Sequence, residues 1–174
     1  MEIPINNFSY SSVNGPGYRF VIWVQGCKLN CKGCFNPETH SYKGSKSVDI
    51  KNIALEINSN PLIVGITITG GEPLDYSIEL IELMKLIKPS LTSIIYTGYT
   101  VKEIVKKVNK VKLIKSVDLV LAGRYNSKLE HPYIGKKIIN ITGRVDYNYF
   151  MPKTKIEYSI NQDIVTKTGI FKTT

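Results

Sequence analysis

The chain has 174 residues, of which 43% are hydrophobic, and this length and composition suit one globular domain with a sizeable core. No apolar run is long enough to cross a bilayer, and residues 1–7 lack both the basic and the apolar region of a secretory signal. We therefore expect a cytoplasmic protein without a membrane partner, in a compartment that keeps its three cysteines reduced.

The formal net charge is +9, and lysines crowd one stretch at residues 102–115. Such a stretch could attract nucleic acid or the acidic surface of a partner protein, and a solvated helix face is the simplest interpretation. The sequence has no basic stripe interleaved with aromatic residues and no helix-turn-helix or zinc-finger pattern. We therefore expect no nucleic-acid partner.

Apolar, β-branched and aromatic runs predict five strands, at residues 18–24, 62–69, 92–96, 117–121 and 137–142. Apolar residues at helical spacing predict helices at residues 50–57, 78–88 and 101–108, the last beginning with a capping box of Thr100 and Glu103. Residues 156–160 alternate in polarity, and residues 164–168 could return after a turn at residues 161–163 as the second strand of a hairpin.

Strands that are apolar throughout and separated by amphipathic helices predict a parallel sheet covered by helices. Five such units are too few to close an eight-stranded barrel of about 250 residues. We therefore predict the α/β class, as a single-domain partial (β/α) barrel with a mostly parallel curved sheet. Its core would span about residues 13–145, and the hairpin would form a C-terminal extension at about residues 150–174.

Every unusual segment follows a predicted strand. Four such segments follow the first four strands in order: the three cysteines, Gly70-Gly71-Glu72-Pro73, Thr97-Gly98-Tyr99 and Gly123-Arg124. Because ligands of parallel α/β sheets bind where loops leave the carboxyl ends of the strands, we expect these segments to form one site.

All three cysteines, Cys27, Cys31 and Cys34, lie within eight residues. A disulfide framework would use an even number spread along the chain, so this clustering favours a metal centre. A four-iron cluster normally takes four thiolates, and three would leave one iron open for a substrate. Neighbouring lysines would lower the pKa of the thiols. A zinc site that adds His40 to the three cysteines, and thiols without a metal role, remain alternatives.

The paired glycines at positions 70 and 71 would let the backbone approach a ligand closely. Glu72 would then project as an acceptor for an ammonium or a hydroxyl, and the alternative is a tight turn with a solvated glutamate. Arg124 could bind a carboxylate through two nitrogen atoms or pair with Glu130 on the surface. His131 is expected to be an exposed loop residue.

The Cys-x3-Cys-x2-Cys loop, followed by Gly-Gly-Glu-Pro after the next strand, resembles the radical S-adenosylmethionine (radical SAM) superfamily. Within it, residues 13–19, 25–27, 33–39, 96–100 and 117–125 are similar, in the same order, to the anaerobic ribonucleoside-triphosphate reductase activating proteins. One difference is that the family usually has Trp after Asn-Pro-Glu-Thr, where this chain has His40.

The resemblance implies a [4Fe-4S] cluster on Cys27, Cys31 and Cys34, whose fourth iron binds the amino and carboxylate groups of S-adenosylmethionine. The residues implied to bind that co-substrate are Gly33, Phe35, Gly70, Gly71 and Glu72, the last three at its methionine end. The candidates for binding the hydrogen donor are Asn36, Tyr96, Thr97 and Arg124.

The resemblance further implies reductive cleavage of S-adenosylmethionine to methionine and a 5′-deoxyadenosyl radical. This radical would take a hydrogen atom from a glycine of a partner enzyme, the large subunit of an anaerobic ribonucleotide reductase. Flavodoxin or ferredoxin would supply the electron, and its acidic surface could use the lysine-rich stretch. The alternatives are a radical SAM enzyme that modifies another peptide or small molecule, and a non-catalytic iron–sulfur or zinc-binding module.

Overall fold

The computed structural model describes residues 1–129 and 134–150 in full, and the backbone of residues 156–161 and 164–169. The strands are β1 (Glu2–Ser11), β2 (Arg19–Val24), β3 (Lys46–Asp49), β4 (Gly65–Gly70), β5 (Thr92–Thr97), β6 (Leu119–Ala122), β7 (Lys137–Asn140), β8 (Ile156–Asn161) and β9 (Ile164–Gly169). The helices are α1 (Ile50–Ser59), α2 (Ser77–Leu86), α3 (Val101–Ile104) and α4 (Val108–Lys115), with 3-10 turns at Pro37–Thr39, Pro73–Tyr76 and Tyr147–Phe150.

Seven strands form one sheet in the order β3-β1-β2-β4-β5-β6-β7. The central strands β2, β4, β5 and β6 are parallel neighbours, whereas β1 pairs antiparallel with both β2 and β3, and β7 pairs antiparallel with β6. Five of the seven strands consequently run in one direction, and the described sheet is open, with β3 and β7 at its edges. The predicted α/β class and mostly parallel sheet are confirmed.

Two strands at one side of the sheet, β1 and β3, are not predicted from the sequence pattern. β1 carries Pro4, Asn6 and Asn7 in place of an apolar run, and its register with β2 shifts between Ile5 and Asn7. β3 has only four residues, three of them polar. Both strands lie beside the parallel core, so their sequences need not be apolar on both faces.

The helices cover one face of the sheet through the main hydrophobic core. Asp49 caps α1 by accepting a hydrogen bond of 2.7 Å from Lys51 N–H. The predicted capping box of Thr100 and Glu103 is present at the start of α3. The predicted apolar face of α1 is buried, namely Ile50, Ile53, Ala54 and Ile57.

The predicted single helix at residues 101–108 is wrong, because two short helices, α3 and α4, occupy this region. Lys107 has an extended backbone (φ −128°, ψ 110°) and starts α4 in a new helical phase. As a result, Val108 is 70% exposed, although the spacing assigned it to a buried face. Val105, which lies one helical turn after the exposed Val101 and bonds to its carbonyl, is 63% exposed and also differs from the prediction. α4 instead buries Leu113 and Ile114.

A fully buried arginine, Arg19, joins the beginnings of β2, β4 and β5. Its guanidinium donates hydrogen bonds to the hydroxyl oxygens of Thr67 and Thr92. It also donates to the carbonyl oxygens of Pro16, Ile66 and Thr92. Burial lowers the pKa of Arg19 to about 10. The charge therefore stays inside the fold because hydrogen bonds surround it.

The sheet face opposite the helices holds a second, smaller cluster, made of Ile94, Leu119, Leu121, Val145 and Phe150. Side chains alternate along a strand, so Trp23, Thr69 and Tyr96 point to this same face, where they line a cavity near the carboxyl ends of the parallel strands. The candidate site consequently lies on the face opposite the helices.

The predicted C-terminal hairpin is present, because β8 and β9 pair antiparallel from Ile156 with Gly169 to Asn161 with Ile164. Residues 162–163 of its predicted turn lie outside the described residues, as do Glu130 and His131. In the part of the chain that the structure describes, no helix has both the length and the apolar character that a bilayer crossing requires.

Candidate metal centre

The loop that follows β2 folds back onto its own beginning and carries the three cysteines. Two main-chain bonds close it: Gly26 N–H to Thr39 O at 2.8 Å, and Cys27 N–H to His40 O at 3.1 Å. A tight turn inside it, closed by a 3.1 Å bond, presents Cys31 and Cys34. All three cysteines are half-buried and free of disulfides, so one compact loop presents three thiols.

Burial raises the pKa of the thiols of Cys27 and Cys34, contrary to the predicted lowering by Lys28 and Lys32. The Lys28 ammonium lies 5.7 Å from the centre of the Tyr42 ring. A low thiol pKa is not a requirement for this site, since a coordinated metal deprotonates a thiol outright.

The double-glycine turn after β4 is bonded directly to the cysteine loop. Gly71 N–H donates to Val24 O at 2.7 Å, and Glu72 N–H donates to Gly26 O at 2.9 Å. Gly70 has a φ of 95°, and a side chain at Gly71 would collide with the Gly26 carbonyl. Glycine at both positions therefore lets the two loops meet through their main chains.

Glu72 is fully buried and does not project outward as the sequence analysis assumed. Its carboxylate accepts hydrogen bonds from Leu74 N–H (2.9 Å), Thr97 Oγ1 (2.7 Å) and Gly98 N–H (2.8 Å). Burial raises its pKa to about 7, although the three hydrogen bonds act in the opposite direction. Glu72 thus ties the ends of β4 and β5 together at the wall of the cavity.

One cavity brings most of the predicted site residues together. It encloses about 890 Å³, part of it open to solvent. The predicted residues that line it are Cys27, Cys31, Cys34, Phe35, Asn36, Gly70, Gly71, Glu72, Tyr96 and Thr97. Gly33 and Arg124 are not among the lining residues. The predicted convergence of the cysteine loop and the double-glycine turn is therefore present.

Arg124 forms an ion pair with Glu103. Its guanidinium binds both carboxylate oxygens of Glu103, at 3.0 and 2.6 Å, and also donates to the Gly98 carbonyl. This pairing holds the pKa of Glu103 at about 2. The surface partner of Arg124 within the described residues is therefore Glu103, where the sequence analysis considered Glu130.

Several residues of the site carry no signal in the sequence. Lys136 lines the cavity, and its ammonium donates to the carbonyl oxygens of Thr97 (3.3 Å) and Gly123. Burial lowers the pKa of Lys136. The Tyr125 ring lies 6.3 Å from that of Phe35, and both line the cavity. These residues come from loops whose spacing has no period, so only the fold brings them together.

The donor set fits an iron–sulfur cluster better than a single ion. Within residues 1–129 and 134–150, no three His, Cys, Asp or Glu side chains are grouped closely enough to hold one metal ion. In a [4Fe-4S] cluster, each cysteine binds a different iron, so its thiolates need not converge on one point. The cavity beside the cysteines also leaves room for a ligand of the fourth iron.

Comparison with known proteins gives the family. Residues 13–140 match the family model described as "4Fe-4S single cluster domain". The anaerobic ribonucleoside-triphosphate reductase-activating protein of Enterobacteria phage T4 is 31% identical over 121 residues, which cover 67% of this chain and 77% of that protein.

Pyruvate formate-lyase-activating enzymes are similar over a shorter region. The enzyme of Streptococcus mutans is 35% identical over 83 residues (41% of this chain, 31% of that protein). The enzyme of Staphylococcus epidermidis is 38% identical over 72 residues (38% of this chain, 29% of that protein). The chain therefore spans less than a third of the length of these two relatives.

The family model covers about three quarters of the chain, and the similarity to the phage protein extends over most of that protein. The chain thus belongs to the 4Fe-4S single cluster domain family and to the radical SAM proteins, whose cofactors are a [4Fe-4S] cluster and S-adenosylmethionine.

Proposed function

We propose that this chain uses a three-cysteine [4Fe-4S] cluster and S-adenosylmethionine to remove a hydrogen atom from a glycine of a partner anaerobic ribonucleotide reductase. The observation that carries the proposal is that the three cysteines and the Gly70-Gly71 turn line one cavity and are joined by main-chain hydrogen bonds. When bound, the cofactors supply the electron and the 5′-deoxyadenosyl radical for this reaction.

The residues of the chain provide the binding surface. Cys27, Cys31 and Cys34 hold the cluster, and half-burial of all three limits the access of water to it. The Gly70-Gly71 backbone offers carbonyl oxygens to the methionine ammonium, as the absence of side chains allows close approach. Gly33 and Phe35 are assigned to the adenine, and Glu72 positions the ends of β4 and β5 through its three hydrogen bonds.

The hydrogen donor is proposed from the extent of the similarity. The phage T4 protein, whose name gives an anaerobic ribonucleotide reductase as its target, is covered over 77% of its length, whereas the pyruvate formate-lyase activases are covered over about 30%. A glycine-bearing loop of the reductase would enter the cavity, whose lining includes Asn36, Tyr96 and Thr97. Arg124 would contribute to this surface only if its pairing with Glu103 were released.

Anaerobic reconstitution with iron and sulfide, followed by dithionite and S-adenosylmethionine, tests the chemistry. We expect about four irons per chain and release of 5′-deoxyadenosine, both lost in Cys31→Ala. Ser41→Ala, an exposed position in the same loop, serves as the matched control and should behave as the parent protein. Failure of the parent protein to form 5′-deoxyadenosine would refute the enzyme proposal.

A second experiment tests the partner. The reduced protein, incubated with S-adenosylmethionine and the large subunit of an anaerobic ribonucleotide reductase, should give the doublet of a glycyl radical in electron paramagnetic resonance. If 5′-deoxyadenosine forms but no glycyl radical appears, the alternative substrate classes, another peptide or a small molecule, are favoured.

The proposed electron donor is an acidic low-potential carrier, a flavodoxin or a ferredoxin. The exposed residues of α3, of α4 and of the segment 105–107 between them form a lysine-rich surface with apolar side chains between the charges. This surface includes Val101, Lys102, Val105, Lys106, Lys107, Val108 and Lys112. α3 begins shortly after Gly98, which lines the cavity. A basic surface with an apolar centre suits an acidic redox partner.

Charge reversal tests this surface. Lys106→Glu should slow reduction by flavodoxin at least about threefold at low ionic strength and leave reduction by dithionite unchanged. Lys51→Glu, exposed on α1, is the control, since a glutamate in the first turn of a helix is tolerated. Equal effects of the two substitutions would refute the assignment of the surface.

We assign the reaction to the cytoplasm, because free thiols and a reduced cluster persist in reducing surroundings.

A further inference from the structure

His40 lies beside the first cysteine and is held there by the main chain. Its carbonyl accepts the N–H of Cys27 at 3.1 Å, and the preceding residue, Thr39, accepts the N–H of Gly26 at 2.8 Å. These two bonds form a short ladder between the end of the cysteine loop and its beginning. The residue at position 40 is consequently fixed next to Cys27, thirteen positions away in the sequence.

A buried glutamine fixes the same segment from the other side. Gln25 is only 5% exposed, and its Nε2 donates to the carbonyls of Glu38 at 3.1 Å and Ser41 at 2.6 Å. Its Oε1 accepts from Asn6 Nδ2 at 2.8 Å, so the amide of Gln25 is satisfied at both ends. The two carbonyls that it binds flank His40, which restricts the backbone on both sides of the imidazole.

The imidazole itself is incompletely satisfied. Its Nε2 atom is buried, and no group in the described part of the chain hydrogen-bonds to it. The residue lines the same cavity as Cys27, Cys31 and Cys34. A buried polar atom without a partner is costly, and native folds retain one mainly where a ligand, an ion or a water completes it. The buried nitrogen therefore lacks a hydrogen-bond partner that a group bound in the cavity would supply.

We propose that His40 is a positioning residue that donates a hydrogen bond from Nε2–H to a sulfur atom of the cluster held by the three cysteines. Hydrogen bonds to the sulfurs stabilise the more negative, reduced state and therefore raise the reduction potential of a cluster. Gln25 restricts the backbone that carries the imidazole, through its bonds to the Glu38 and Ser41 carbonyls. The inference rests on the proposed function, because it requires the cluster to be present.

Redox titration of the reconstituted full chain, without S-adenosylmethionine, tests this bond. His40→Phe removes the donor and should lower the midpoint potential while about four irons remain bound. His40→Gln restores an N–H donor and should return the potential toward that of the parent protein. An unchanged potential in His40→Phe with full iron content would overturn the proposal. Loss of a single iron in that variant would also overturn it, since this result would make His40 a ligand.

A spectroscopic measurement on a protein that keeps His40 covers the case in which His40→Phe does not fold. The chain has two histidines, so labelling with ¹⁵N-histidine in a His131→Gln background leaves position 40 as the only labelled site. A weak ¹⁵N hyperfine coupling to the reduced cluster supports the hydrogen bond. A strong coupling, as for a direct ligand, or no coupling at all contradicts it.

The two levels of the proposal fail separately. If the parent protein binds a [4Fe-4S] cluster but yields no 5′-deoxyadenosine, the proposed function fails while the potential and the coupling still decide the role of His40. If the cluster and the 5′-deoxyadenosine are both present and His40→Phe leaves the potential unchanged, only the inference about His40 fails.

Discussion

The buried carboxyl of Glu72 should make the stability of the cluster-free protein depend on pH. Its pKa is about 7 in the folded chain and 4.5 in the unfolded chain. Between these values the folded chain keeps a proton that the unfolded chain releases, so the contribution of Glu72 is full below pH 4.5 and is lost as the pH rises through 7. At about 1.4 kcal/mol for each pKa unit, the loss amounts to about 3 kcal/mol.

Glu72→Gln removes this titration and leaves a neutral group of the same size. The amide introduces its own cost, because an NH2 group will face a hydrogen-bond donor, but this cost does not change with pH and cancels from the comparison. The free energy of unfolding of Glu72→Gln, minus that of the parent protein, should therefore rise by about 3 kcal/mol between pH 4.5 and 7.5. Urea titrations followed by the fluorescence of the single tryptophan, Trp23, measure it.

An exposed carboxyl provides the control. Glu2→Gln removes a carboxyl on the surface of β1 and should give a pH profile parallel to that of the parent protein. Parallel profiles for the parent protein and Glu72→Gln would refute the claim that burial controls the titration of Glu72.

Other substitutions probe separate parts of the structure. Arg19→Met should lower the free energy of unfolding by about 3 kcal/mol in urea titrations. The reason is that the loss of five hydrogen bonds outweighs the gain from no longer burying a charge. A change below about 1 kcal/mol would contradict this. Gly71→Ala should reduce the iron content after reconstitution, since the added Cβ would push the Gly26 carbonyl away from Glu72 N–H. Iron content equal to that of the parent protein would show that iron binding does not require contact between the two loops. Arg124→Gln should return the pKa of the Glu103 carboxyl from about 2 toward its ordinary range in a ¹³C NMR titration, and a pKa that stays near 2 would assign the lowering to the capping box.

The sequence predicts the parts of the fold that depend on apolar periodicity. The parallel strands and α1 are found within a few residues of their predicted bounds, because burial on both faces or on one helical face determines these patterns. The pattern does not predict β1 or β3, because these antiparallel-paired strands beside the parallel core tolerate polar residues. It also assigns Val108 to a buried face, because a change in helical phase at Lys107 has no signature in the composition.

The site divides in the same way. The cysteine spacing and the double glycine identify the two loops. Because β2 and β4 are parallel neighbours, both loops leave the carboxyl ends of these strands side by side. The sequence does not predict the direction of the Glu72 carboxylate, which depends on three donors from residues 74, 97 and 98. It likewise does not predict the placement of Lys136 in the cavity, since this residue arrives from a loop whose course only tertiary contacts determine.

The bonds between the cysteine loop and the double-glycine turn run from main chain to main chain, through Gly71 N–H to Val24 O and Glu72 N–H to Gly26 O. Exchanging the side chains on the walls of the cavity, such as Asn36 or Tyr96, leaves both bonds in place. The geometry between the two loops is therefore independent of the side chains that line the cavity, so substitutions on the cavity wall can change what the cavity accepts without changing how the loops meet.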